Sequence, residues 1–270
     1  VPLLKKRAVR LIDVMIVTHG DADHAGGLAA VAEAIPTRRI VFNGTLADSE
    51  AFRKLIDIAL ERNIPLIPAG AGRSLDVDRH TRLDILYPLP RERLSVEENQ
   101  NAFSVVFLLT MHGKRMLFTG DMDAAAERET VRLLRMAESE AAGAGRTAPV
   151  PAAAPDATER EAAADAADES AMEAVGETAV PAASTGTEAK EAEGVKAAVE
   201  GLVSVVAGGN RPLDVMKIAH HGSNSSTSEL WLNRWKPQLA VISVGERNAY
   251  GHPGKQVMAR LERRSIPVFR

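Results

Sequence analysis

At 270 residues and 45% hydrophobic content, the chain has room for one large domain or two small ones and can bury a real core. It contains no cysteine, which excludes disulfide scaffolds, thiolate metal sites and cysteine nucleophiles. No apolar run approaches the roughly 18 residues of a membrane span, no charged-then-apolar signal sequence opens the chain, and the net charge of −3 averages two unlike parts.

In chain order, residues 12–18 (IDVMIVT) read as a strand, 25–35 as a helix of small residues, and 39–43 (RIVFN) as a second strand. Residues 48–62 read as an amphipathic helix. Phe52, Leu55, Ile56, Ala59 and Leu60 share one face, and Asp48 or Ser49 can cap its start. Strands follow at 83–87, 103–111 and 115–119, the last two joined by His112-Gly113-Lys114 as a hairpin turn. A helix is expected over 123–136. After a long insert come a strand at 213–218, a helix at 226–234, a strand at 239–244, a helix at 254–264 and a strand at 266–269. This is an α/β pattern with a hairpin in its middle and no internal repeat.

The insert spans 137–200 and divides the domain into a first part, 1–136, and a second part, 201–270. It holds 23 Ala, no aromatic residue, and 14 acidic against four basic residues, a net of −10. The rest of the chain therefore carries +7. Pro149, Pro151, Pro155 and Pro181 break any long helix. A segment so poor in large apolar side chains cannot offset its ordering entropy, so it is expected to be disordered or weakly helical. It serves either as a solvated spacer or as an acidic mimic of nucleic acid lying over the basic remainder.

Four stretches carry chemistry. In Thr18-His19-Gly20-Asp21-Ala22-Asp23-His24, four possible ligands follow a strand and precede a helix, where α/β sheets place their sites. Alternate residues of an extended loop can aim at one point, and the adjacent Asp23-His24 pair can reach a second ion as the chain turns. A helix-capping loop would explain one Asp, not two His and two Asp. In Phe118-Thr119-Gly120-Asp121, a strand ends in a carboxylate whose two oxygens can each serve one cation. In Ala219-His220-His221-Gly222-Ser223-Asn224-Ser225-Ser226-Thr227, one His can bind metal and the other is left for substrate or proton transfer. The hydroxyls of Ser223, Ser225 and Thr227 either bond phosphate oxygens or cap the next helix. In Tyr250-Gly251-His252-Pro253, His252 lies on the same expected side, or simply initiates a helix with its proline. Asn99, Gln100 and Asn101 precede the strand at 103–111, as a loop amide cluster or as groups that reach the site.

Together these motifs resemble the metallo-β-lactamase fold and, more closely, the carboxy-terminal domain of ComEC-type DNA-uptake proteins of bacterial competence. That domain reads S-H-x-D-x-D-H-x-G-G-L, N-x-x-S-V-V-L, L-F-T-G-D, A-H-H-G-S-x-x-S-T-S, V-I-S-V-G and Y-G-H-P. The counterparts here are His19 to Leu28, Asn101 to Phe107, Leu117 to Asp121, Ala219 to Ser228, Val241 to Gly245 and Tyr250 to Pro253. The match covers nearly the whole chain outside the insert. Asp21 stands where the wider superfamily has a second His. The family's domain also begins earlier, with a hairpin carrying D-V-G-Q-G-D, and runs on past the equivalent of Arg270. The resemblance thus implies a four-layer αββα sandwich, incomplete at its N-terminus.

The same resemblance implies two divalent ions, Zn²⁺ or Mn²⁺. His19, Asp21 and Asp121 would hold the first; Asp23, His24, Asp121 and His221 would hold the second. Ions about 3.5–4 Å apart can share a hydroxide as nucleophile. Asp23 would orient the water or accept its proton, while His220 or His252 would contact phosphate or protonate the leaving group. Asn101, Ser223, Ser225 and Thr227 are the candidate substrate contacts. Asp21 makes the first site richer in oxygen, which admits Mn²⁺ beside Zn²⁺.

The implied activity is a DNA nuclease acting on single strands, attached to a membrane channel part that this chain lacks, at the outer face of the plasma membrane. The alternatives are a small-molecule hydrolase of the same fold, opening a lactone, thioester or lactam, and an inactive truncated domain that only binds.

Overall fold

The computed structural model describes residues 1–91, 93–144, 185–207, 209 and 211–270. Helix α1 (Pro2–Lys6) leads to strand β1 (Met15–Val17), short helices α2 (Ala22–Ala25) and α3 (Leu28–Ala34), then strands β2 (Ile40–Phe42) and β3 (Thr45–Leu46). Helix α4 (Glu50–Glu61) precedes β4 (Leu66–Pro68), β5 (Ser74–Asp78), β6 (Thr81–Tyr87) and β7 (Ser95–Val96). A 3-10 turn at Gln100–Phe103 enters the hairpin of β8 (Val106–Met111) and β9 (Lys114–Phe118). The rest comprises α5 (Ala124–Ala144), α6 (Thr185–Val206), β10 (Val215–Lys217), a 3-10 turn at His220–Gly222, α7 (Glu229–Trp235), β11 (Ala240–Val241), α8 (Lys255–Arg263) and β12 (Val268–Phe269). Among the described residues no helix is long and apolar enough to cross a membrane.

Local chemistry accounts for several of these elements. The Ser49 hydroxyl accepts from the Phe52 amide and starts α4, which buries Phe52, Leu55, Ile58 and Ala59. Leu60 is exposed instead of joining that face: the buried stripe centres near Leu55, and five residues at 100° each put Leu60 about 140° from it. The hairpin turn is His112-Gly113, with both residues at positive φ, 49° and 76°, between the paired Met111 and Lys114.

Seven strands form a mixed sheet in the order β12-β11-β10-β9-β8-β6-β5, and β1-β2-β4 form a smaller parallel sheet. Period-2 alternation sorts the side chains between layers. Leu108 of β8 faces α5–α8, with Leu117, Met216, Leu134, Leu202, Trp231 and Leu261. Phe107, the next residue back, faces the other sheet with Val41, Ala69, Leu83 and Ile85. A third cluster, including Val17, Ile40, Phe42, Phe52 and Leu55, lies between the smaller sheet and α2–α4. Helix, sheet, sheet, helix: this is the αββα sandwich.

Most of the expected 137–200 insert, residues 145–184, lies outside the described residues. Its two flanks differ from the expectation of a weakly ordered spacer. Helix α5 continues through Ala144, and α6 already begins at Thr185. Ala137, Ala198 and Val199 are buried in the main core. Small residues here permit close approach: a Cβ on Gly201 of α6 would meet the Gly72 carbonyl oxygen at 2.2 Å. The scarcity of large side chains thus marks tight helix packing at these flanks.

The sheet direction positions the site. Strands β9, β10 and β11 run parallel, so their carboxyl ends share one edge. Strand β8 is antiparallel to β9, which brings its start to that edge. The Val105 amide donates to the Thr18 carbonyl at 2.8 Å and ties in the end of β1.

Candidate metal centre

Four ligand atoms meet where these strand ends converge. Those of Asp23, His24, Asp121 and His221 all lie within 4.8 Å of one another. The Asp121 carboxylate is central, with Oδ1 at 3.2 Å from His24 Nε2 and Oδ2 at 3.3 Å from His221 Nε2. His221 Nε2 is also 3.2 Å from Asp23 Oδ2 and 3.1 Å from His24 Nε2. Beside this group the His19 ring lies 4.1 Å from that of His24, and His19 Nε2 is 3.6 Å from Asp21 Oδ2. His19 is buried, and its Nε2 has no hydrogen-bond partner.

Outer contacts orient these ligands. The His221 Nδ1–H donates to the Ser243 carbonyl at 2.6 Å, which leaves Nε2 to face the cluster. The Ser104 hydroxyl accepts from the Asp121 amide at 3.0 Å and sits 3.3 Å from His19 Nδ1. The Thr18 hydroxyl is 3.1 Å from His19 Nδ1 and 3.4 Å from His24 Nδ1. Lys217, on β10, donates from Nζ to the Gly120 carbonyl at 2.8 Å and lies 3.4 Å from Asp121 Oδ1. Gln100 is a buried hub. Its Oε1 accepts from the Gly20 amide, Asn43 Nδ2 and the Thr45 hydroxyl, while its Nε2 donates to the Glu97 and Leu46 carbonyls.

The loop after β10 is held differently. His220 and His221 both take left-handed backbone conformations, φ 48° and 52°, each costing roughly 1–3 kcal/mol for a non-glycine residue in such a site. The fully buried Glu127 of α5 offsets part of this by accepting from the Thr227 and Ser228 amides, and Arg260 donates to the Ser226 and Thr227 carbonyls.

Electrostatics follow the geometry. Burial, reinforced by His24, pushes the His19 imidazole down to about 4, which keeps it neutral and ready to bind a cation. The hydrogen bond to Asp121 raises His221 to about 9, against the effect of burial. Burial opposes ionisation of Asp121, but hydrogen bonds from His221 and His24, together with Lys217, hold its carboxyl far below the usual carboxylate range. Burial, then the neighbouring Asp23, raises Asp21. Burial lowers His220. Two imidazole nitrogens 3.1 Å apart between carboxylates, with a buried unpaired nitrogen next to them, fit a divalent cation in charge and donor type once His221 gives up its proton.

An open cavity of about 400 Å³ faces these groups. Asp21, Asp23, Asp121, His220, His221, His252 and Asn101 all line it. The His220 and His252 rings meet edge-on, 5.8 Å apart. The candidate contacts Ser223, Ser225 and Thr227 are not brought to it. Ser223 and Ser225 bond each other at 2.9 Å, and Thr227 is fully buried beneath Glu127. The neighbouring Ser228 hydroxyl caps α7 by accepting from the Trp231 amide. This run of hydroxyls shapes the loop and the helix start. The reading of single motifs missed Thr18, Ser104, Ser243, Glu127 and Tyr250, which also lines the cavity.

The family model of the metallo-beta-lactamase superfamily matches residues 2–246. Over its full length the chain is similar to ComE operon protein 3 of Bacillus subtilis, at 21% identity over 270 residues, and to competence protein ComA of Neisseria gonorrhoeae, at 24% over 271. It spans 25% of the length of each of these relatives. A 51-residue stretch, 19% of this chain, is 45% identical to recombination protein 2 of Haemophilus influenzae and covers 6% of that protein. Among solved structures, Igni18, a metallo hydrolase from the archaeon Ignicoccus hospitalis, aligns with a TM-score of 0.41 at 11% identity, covering 95% of this chain and 75% of that one.

Proposed function

The chain belongs to the metallo-beta-lactamase superfamily, a family of metal-dependent hydrolases, and from that premise we propose that it hydrolyses phosphodiester bonds of DNA as the nuclease module of a competence DNA-uptake system. The observation that carries this reading is the convergence of Asp23, His24, Asp121 and His221 beside His19 and Asp21, in a chain whose full length is similar to two competence proteins. The +7 charge outside the acidic insert suits a polyanionic substrate. In this reading the substrate is single-stranded DNA, and the domain works beside a membrane channel at the outer face of the plasma membrane.

His19, Asp21 and Asp121 would hold one divalent ion, and Asp23, His24, Asp121 and His221 the other; Zn²⁺ and Mn²⁺ both suit this nitrogen and oxygen donor set. When bound, such ions lower the pKa of water and neutralise charge on phosphate oxygens. The chain's own groups do the rest. Asp23, exposed to the cavity, accepts the proton of the attacking water. Of the two rings packed edge-on at the cavity wall, His220, whose charged form burial disfavours, contacts the phosphate, and His252 delivers a proton to the departing oxygen. Asn101 lines the cavity, where its amide meets substrate.

The test is Mn²⁺-dependent cleavage of end-labelled single-stranded DNA, beside an Asp23→Ala/His24→Ala variant shown to fold by circular dichroism. The expected result is cleavage by the wild type and a loss of about a thousandfold or more in the variant. Intact DNA in the presence of folded, metal-loaded protein overturns the reading. Turnover of a lactone, thioester or lactam without DNA cleavage replaces it with a small-molecule hydrolase.

A further inference from the structure

The Tyr250 ring stands in water at the rim of the metal cavity. It is 84% exposed, yet it lines the same cavity as Asp23, Asp121 and His220. Its exposure is imposed by a loop with fixed internal bonding. Asn248 Oδ1 accepts from the His252 amide at 2.8 Å, and Asn248 Nδ2 donates to the carbonyls of His252, at 2.8 Å, and Gly245, at 3.1 Å. Gly251, at φ +67°, lets the chain fold back between Tyr250 and His252. The Tyr250 ring consequently lies nearly parallel to the His252 ring, 5.9 Å between centroids and 17° between planes. At that separation the imidazole covers little of the tyrosine ring, and Tyr250 keeps its faces open to solvent.

An aromatic ring left in water forgoes favourable burial, so a loop stapled to display one favours a partner that covers it. Beside a site that takes phosphodiesters, the flat apolar partner at hand is a nucleobase. Resting on the phosphodiesterase reading, we propose that the exposed face of Tyr250 is a stacking platform for a base flanking the scissile phosphate, with the nearly parallel His252 ring beside it at the cavity wall. The platform makes the site take unpaired strands. A base inside a duplex already has both faces covered by its neighbours, whereas a single strand offers one at little cost. Stacking of this kind is tolerant of base identity, because every base has a π-face.

The test uses two labelled decamers, deoxythymidine and its abasic tetrahydrofuran counterpart, bound to the full chain with Ca²⁺ in place of Mn²⁺ and followed by fluorescence anisotropy. The wild type is expected to bind the base-bearing decamer about tenfold more tightly than the abasic one. Tyr250→Ala removes that difference while abasic binding stays within about twofold; Tyr250→Phe retains it, because the ring is kept. The proposal is overturned if wild type and Tyr250→Ala share the same preference, or if the variant weakens both decamers alike. The Mn²⁺ cleavage assay separates the two levels. DNA cleavage indifferent to Tyr250 sinks the platform and keeps the phosphodiesterase. Tyr250-dependent binding by a protein that never cleaves DNA does the reverse.

Discussion

The loop after β1 and the loop after β10 deliver candidate ligands to the same point, but they are held by opposite chemistries. The first is tied by a neutral hub: Gln100, buried between Gly20, Asn43 and Thr45, carries no charge and does not titrate. The second is tied by a buried carboxylate, Glu127, with Arg260 behind it. The difference matches what each loop bears. The β1 loop presents His19, which burial keeps neutral; the β10 loop presents His221, which holds a proton up to about 9 through Asp121. One side of the site is thus pre-set in the cation-accepting form, and the other must release a proton to reach it.

Removing the group on which both loops converge has the largest expected effect. Asp121→Ala leaves His24 and His221 facing each other without the carboxylate between them. We expect metal to be lost on dialysis, by elemental analysis, and hydrolysis to fall about a thousandfold or more with the fold intact. Stoichiometric metal in that variant would break the picture of a shared ligand.

The hub comes next. Gln100→Ala strands the Gly20 amide, Asn43 Nδ2 and the Thr45 hydroxyl in a dry interior. Buried donors without acceptors cost about 1–3 kcal/mol each, so several kcal/mol of stability are expected to go in a denaturant melt. Because the Gly20 amide lies between His19 and Asp21, metal affinity should fall with it, about 10–100-fold. Loss of stability with unchanged affinity would make Gln100 a scaffold residue without influence on the ligands.

These two residues also mark how far the sequence could be read. The candidate ligands were legible as candidates because each falls at a strand end in a short polar cluster: His19 to His24, Gly120-Asp121 and His220-His221. The β8–β9 hairpin was legible from His112-Gly113. That Asp121 meets His24 across nearly a hundred residues came only through resemblance, since no spacing encodes the meeting of two sheets. Gln100 looked like one of three loop amides. Glu127, inside Ala-Ala-Ala-Glu-Arg-Glu, had the pattern of a solvated helix face, and only the packing of α5 against α7 reveals it as fully buried. Helix α6 failed for a related reason. Ala and Gly on one face look like weak burial in composition, but at Gly201 smallness is what lets the backbone of the Gly72 turn approach.

The smallest effect separates the two tethers by their response to pH. Glu127→Gln keeps the shape but leaves one of the Thr227 and Ser228 amides facing an amide NH₂, at an expected cost of about 1–3 kcal/mol. Burial raises the Glu127 carboxyl above the ordinary glutamate value, against the pull of those two amides. The folded wild type therefore keeps its proton to higher pH than the unfolded chain does. Its contribution is full below the unfolded value and is lost as pH rises through the folded one. The Gln variant has no such dependence, and every other titrating group is common to both proteins. The stability gap between wild type and Glu127→Gln should therefore shrink as pH rises from the ordinary glutamate range, then level off, whereas the gap for Gln100→Ala should stay flat across the same range. Denaturant melts of all three proteins along one pH series decide this. A Glu127 gap that widens with pH would mean that the two amides and Arg260 outweigh burial, so that this tether is anionic throughout.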